Sequence, residues 1–133
     1  DVRIVPVALS VGIDEGSVAQ LAAFGEKLAG VLKEELVVCS TDLNHYEDQE
    51  KTLIKDQYVI DTMEKLDIEG LRRVILEKKV SMCGFAPVMA TMAYARARGA
   101  TSAETILHRT SGDACGEFDR VVGYVGMIIS CSN

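Results

Sequence analysis

The chain has 133 residues, 48% hydrophobic and 26% charged, enough for one buried core and ordinary for a globular protein. Against 20 acidic residues stand 14 basic ones, a net charge of −6. This balance argues against a nucleic-acid partner, since phosphate-backbone binding needs a clustered excess of Lys and Arg. No apolar run approaches the ~18 residues of a membrane span, and the first segment lacks the basic start and cleavage site of a signal peptide. Cys39, Cys83, Cys115 and Cys131 lie far apart with no C-x-x-C pair. Free thiols in a reducing cytoplasm are therefore expected. The chain opens with Asp1 rather than methionine and runs at once into a strand pattern, as a trimmed or partial chain would.

In chain order, "RIVPVAL" (3–9) predicts a buried β-strand, with Pro6 near its start. "SVAQLAAFGEKLAGVL" (17–32) repeats Val18, Leu21, Leu28, Val31 and Leu32 at helical spacing, and Ser17 with Gln20 fits a capping box. "ELVVCS" (35–40) predicts a second strand, so the first three elements read as a βαβ unit with parallel strands. A charged helix over 47–66 places Leu53, Ile60 and Met63 on one face. Asp67 is placed to cap a further helix through "IEGLRRVILEKK", striped by Ile68, Leu71, Val74 and Ile75. A third helix follows "SMCGFAP", with Pro87 in its first turn and Gly99 as its stop. "ETILHRT" (104–110) and "RVVGYVGMIIS" (120–130) predict two last strands, joined by the loop "SGDACGEFD". The order β-α-β-α-α-α-β-β predicts an α/β fold whose layered sheet, mostly parallel or mixed, is flanked by helices.

In open α/β sheets, ligands bind beyond the C-terminal ends of the strands. Ser40, Asp42 and His45 of "CSTDLNHY" fall just past the second predicted strand. An imidazole there can act as a general base or metal ligand, oriented by the nearby carboxylate. The alternative is that Ser40 and Asp42 cap a turn and His45 is merely exposed. Cys83 stands just ahead of the third helix, whose positive N-terminal end favours a thiolate, the form that attacks or ligates. Against this stands the buried structural cysteine, the commonest fate of a free thiol. In "TSGDACGEFD" the small and acidic residues suit a pocket-lining loop or any long turn, and its glycines form neither G-x-G-x-x-G nor a P-loop. Cys115 reads as a solvated thiol, and His108 as structural or surface. Met82, Met89 and Met92 have core spacing, whereas Asp56, Asp61 and Asp67 recur on a charged helical region and read as solvated.

Together, "STDLNHYEDQ", "LDIEGL", "VSMCGFAPVMATMAYARARGA", "TSGDACGE" and "VVGYVGMI" resemble, in this order, the Memo family. This is the Memo-like component of the AmmeMemoRadiSam group, whose fold is similar to that of class III extradiol dioxygenases. The resemblance implies that His45 is the pocket histidine and acid/base catalyst, and that Cys83 is a metal ligand. It implies pocket roles for Asp42 and Ser40, and places Asp113 on a pocket loop. Iron is the implied metal, with copper as the alternative. The family's N-terminal half supplies two further histidines, in P-H-A-G-Y and G-P-N-H or G-P-S-H stretches, and neither stretch occurs here. Residues 1–133 thus correspond to the C-terminal half of a Memo-like α/β domain. The missing half, or another chain, is the expected partner that supplies histidines, and an oligomer is a further expectation. The implied activity is metal-dependent redox chemistry on a small molecule. The alternative is a non-catalytic scaffold on the same fold that binds a small ligand or peptide.

Overall fold

The computed structural model describes residues 2–130. Helix α1 (Glu15–Val31) is followed by a three-residue strand β1 (His45–Glu47) and then by α2 (Gln49–Glu64), α3 (Ile68–Lys78) and α4 (Phe85–Ala97). Strand β2 (Ala103–Thr110), a single turn α5 (Gly112–Cys115) and strand β3 (Val121–Ile129) complete the chain. Side-chain caps set three helix starts. Asp14, Asp48 and Asp67 accept from the backbone N–H of Ser17, Lys51 and Gly70, which satisfies donors that the first turn leaves unpaired. Asp67 acts as the sequence predicts. At α1 the cap is Asp14 instead of Ser17, because a carboxylate three residues upstream reaches both the N–H and the hydroxyl of Ser17.

The sheet differs from the expected one. Its three strands run in the order β1-β3-β2 and every pairing is antiparallel. The β2–β3 hairpin is where the pattern placed it, with Ala103 opposite Ile129 and Thr110 opposite Gly123. The predicted parallel layer is absent, since the segments 3–9 and 35–40 form no strand. A strand exists only through hydrogen bonds to a neighbour, and the described residues offer these two segments none. They remain extended, and Ile4 is 83% and Leu36 87% exposed. The second segment still keeps a period of two. Val37, Cys39 and Thr41 are partly buried while Leu36, Val38 and Ser40 face outward.

The core lies among the four long helices and the inner face of the hairpin. Val18, Leu43, Val59, Leu66, Leu71, Met89 and Met92 are fully buried. Each such aliphatic side chain contributes about 1.5–3 kcal/mol relative to exposure. Met82, Met89 and Met92 are all core residues, as their spacing predicts. In α2 the predicted face is rotated: Ile60 and Met63 are buried, but Leu53 is at the surface and Thr52, Asp56 and Val59 point inward. Asp56 is therefore not solvated as expected, and the reason is a set of polar partners waiting inside.

Candidate metal centre

Two stretches distant in sequence meet at the edge of this core. Cys83 Sγ accepts a hydrogen bond from the backbone N–H of Asp42 at 3.4 Å and lies 3.8 Å from Thr41 Oγ1. Thr41 Oγ1 in turn accepts from the N–H of Gly84 at 2.8 Å, at the start of α4. Gly84 is needed for this contact, because a Cβ there would run into the Thr41 side chain. The result gathers one donor atom each from Asp42, His45 and Cys83, all within 4.8 Å of one another.

The state of the imidazole follows from its neighbours. His45 Nδ1 lies 2.6 Å from the backbone carbonyl of Ser81. A carbonyl only accepts, so Nδ1 carries a proton, and in the neutral form of the ring the lone pair lies at Nε2. Nε2 faces the Asp42 carboxylate, with 3.5 Å between Nε2 and Oδ2. In that neutral form two acceptors face each other beside a sulfur, an arrangement that a proton or a metal cation relieves. An N, O and S donor set suits a transition metal better than Mg²⁺ or Ca²⁺, which prefer oxygen alone. These residues therefore fit a metal of the implied kind.

Local backbone strain marks the same place. Tyr46 has φ 62°, in the left-handed region that costs a non-glycine residue energy. The β1–β3 register shifts at this point, between His45, which faces Val122, and Glu47, which faces Val121. The Tyr46 ring lies 5.6 Å from that of His45 and beneath the Arg120 guanidinium.

The other residues singled out from the sequence lie elsewhere in the fold. Ser40 is exposed, and its carbonyl lies against Gly84. Asp113 is outside the cluster, and its carboxylate accepts from the Thr110 N–H at 2.7 Å, closing the turn before α5. Cys115 is exposed. Burial pushes the Cys39 thiol up, which keeps it protonated and sets it apart from the exposed Cys83. An open groove of about 570 Å³ runs between residues 33–41, α4 and the hairpin, but its lining stops at Thr41 short of the cluster.

Four residues around the site were not among the functional candidates that the sequence offered. Asn44 and Asp56 are fully buried, and the Asn44 N–H donates to Asp56 Oδ1 at 2.9 Å. His108 Nε2 lies 3.0 Å from the other Asp56 oxygen, so His108 is structural as expected, though as the partner of a buried carboxylate. Ser81 is bonded to both Asn44 and His45. One signal was available: Thr52 and Asp56 interrupt the helical stripe that continues through Val59, Ile60 and Met63. Polar residues on an apolar stripe point to a buried network.

The fold and site define an α/β chain with an N, O and S cluster at the junction of a short strand and a helix N-terminus. The profile of a family described as "Memo-like protein" matches residues 1–128, and the chain belongs to that family. A MEMO1 family protein of Sulfolobus acidocaldarius is 40% identical over 127 residues, covering 94% of this chain and 44% of the relative. A MEMO1 family protein of Thermotoga neapolitana is 39% identical over 132 residues, covering 98% of this chain and 45% of the relative. A third, from Caldivirga maquilingensis, is 38% identical over 125 residues. The chain thus spans less than half the length of the curated relatives it matches. Among the described residues no helix is long and apolar enough to cross a membrane.

Proposed function

We propose that this chain carries one side of a metal-dependent redox centre resembling that of the class III extradiol dioxygenases, acting on a small molecule. The observation that carries this reading is the convergence of Asp42, His45 and Cys83 within 4.8 Å, with His45 oriented by a carbonyl behind it. Cys83 ligates the metal as a thiolate, and iron is the first choice with copper as the alternative. When bound, the metal supplies Lewis-acid and one-electron chemistry. His45 accepts and returns a substrate proton at Nε2, while Asp42 stabilises the imidazolium formed. The remaining ligands come from polypeptide outside this chain, either a further segment or a second subunit. The thiolate replaces the carboxylate ligand of typical extradiol sites, so the reading does not extend to ring cleavage itself.

The test is anaerobic titration with Fe(II), reading bound metal per chain by elemental analysis, followed by oxygen uptake with candidate catechols. Cys83→Ser is expected to lose the metal. His45→Ala is expected to keep it and lose turnover. Oxygen uptake that survives His45→Ala would remove the histidine from the reaction.

The groove of about 570 Å³ favours a second reading, a non-catalytic protein that binds a small ligand or peptide along Val37, Val38, Met92, Val125 and Met127. Ligand binding that Cys83→Ser leaves intact, without oxygen uptake, would select it.

A further inference from the structure

Asn44 is tied at every polar atom. Its N–H donates to Asp56, and its carbonyl accepts from the Gly123 N–H at 2.9 Å. Its side-chain NH₂ donates to Glu47 Oε2 at 2.8 Å and to Thr52 Oγ1 at 3.3 Å. Its side-chain oxygen accepts from the N–H and hydroxyl of Ser81, at 3.3 and 3.2 Å. The amide has one orientation that satisfies all four contacts, since flipping it would set its oxygen against the Glu47 carboxylate. Ser81 is held in turn. Its hydroxyl lies within donating distance of the Asn44 side-chain oxygen, at 3.2 Å, and of the His45 carbonyl, at 3.4 Å, and its lone pair accepts the His45 backbone N–H at 2.7 Å. The carbonyl of this same Ser81 receives the His45 Nδ1 proton. A fully satisfied buried amide thus ends, through one serine, on both the backbone and the ring of the histidine.

We propose that Asn44 and Ser81 are positioning residues that lock His45 as the Nδ1–H tautomer, with the Nε2 lone pair aimed at Asp42 and Cys83. The buried Asp56, paired with His108, anchors the device by holding the Asn44 backbone from beneath. Neither residue contributes a donor atom to the cluster. Each acts by deciding which nitrogen of His45 is free and where it points. This inference rests on the reading of His45 as the proton carrier of the centre, but the tautomer is a property of the metal-free chain and is measured without turnover.

The experiment is histidine ¹⁵N NMR of the metal-free chain, at a pH where the imidazole is neutral, on wild type, Ser81→Ala, Ser81→Thr and Asn44→Ala. Wild type is expected to show one tautomer, protonated at Nδ1. Ser81→Ala is expected to raise the Nε2–H form several-fold, and Ser81→Thr, which keeps the hydroxyl, to restore the single form. Ser81 is exposed, so its substitution stays readable should the buried Asn44→Ala fail to fold. A wild-type ring protonated mainly at Nε2 would overturn the proposal, as would a tautomer unmoved by Ser81→Ala. A shifting tautomer in a chain that neither binds Fe(II) nor consumes oxygen, even when combined with the polypeptide that supplies the remaining ligands, would overturn the redox centre and leave the positioning role standing.

Discussion

His45 Nδ1 and the Ser81 carbonyl oxygen lie 2.6 Å apart, and this contact joins the strand that carries the histidine to the stretch that carries Cys83. Because the carbonyl can only accept, the contact requires a proton at Nδ1, and in the neutral ring this leaves the Nε2 lone pair on the side of the cluster. The two cluster residues should therefore separate by variant. Cys83→Ser is expected to abolish stoichiometric Fe(II) binding. His45→Ala is expected to retain the metal while lowering turnover by about 10²–10⁴-fold, the usual contribution of a positioned proton carrier. Elemental analysis and oxygen uptake read the two effects, and metal retained in Cys83→Ser would take the thiolate out of the centre.

The Asp56–His108 pair lies on the opposite side of Asn44, with Asp56 fully buried and His108 partly exposed. Removing one member leaves the other without its partner in the interior. His108→Ala is expected to cost about 1–3 kcal/mol in urea denaturation, the range for removing a hydrogen-bond partner from a buried polar group. A loss below about 1 kcal/mol, as at an exposed pair, would mean that solvent reaches Asp56.

Two carboxylates beside Asn44 titrate in opposite senses. Burial raises the Asp56 carboxyl above its ordinary 3.8, although the His108 and Asn44 hydrogen bonds oppose the shift. The folded chain then holds this proton more tightly than the unfolded one, so the contribution of Asp56 is largest in acid and declines as pH rises from 3.8 through the folded value. Glu47 is held below 4.5 by hydrogen bonds from Lys55 and Asn44. Its contribution is complete above 4.5 and is lost as pH falls through its folded value. Urea midpoints against pH should show Glu47→Gln less acid-sensitive than wild type, and Asp56→Asn losing less stability on the alkaline side. Parallel curves for all three proteins would contradict both assignments.

Gly123 lies where β3 crosses the Asp56 carboxylate, and a Cβ there would overlap the carboxylate itself. Gly123→Ala is expected to displace Asp56 and cost about 1–3 kcal/mol, as overpacking does. The same change at Gly126, where a Cβ meets nothing, is the control. Equal denaturation midpoints for the two variants would show that the close approach is not rigid.

The extended segments expose Val2, Ile4, Val5, Val7, Leu36 and Val38, a row of apolar side chains on unpaired backbone. Such edges pair with other chains. The chain alone is expected to self-associate with rising concentration, and the double variant Leu36→Lys, Val38→Lys to reduce this in light scattering. A strictly monomeric wild-type chain would show that these segments are covered.

The helices and the hairpin were legible because their cause is local. Periodicity at Ile68, Leu71 and Ile75, the cap at Asp67 and the strand patterns around the 111–119 loop need no distant partner. The segments 3–9 and 35–40 carry equally good strand patterns, yet a strand also requires a neighbour, and none lies within the described chain. Asp56 was misread for a related reason. A carboxylate on a charged helix is solvated unless the fold brings it donors, and those donors, Asn44 and His108, come from other elements.

By itself, then, the sequence determined the helices, the hairpin and the individual reactive groups, among them His45 and Cys83, since residue type and spacing carry that information. Tertiary structure alone decided that Asp42, His45 and Cys83 converge, that His45 presents Nε2, and that Asn44 stands behind it. Those facts depend on contacts between residues about 40 apart in the chain, such as Asp42 with Cys83 and His45 with Ser81. Such contacts form only when the buried core draws the distant stretches together, because the hydrophobic effect that assembles the core acts without regard to sequence separation.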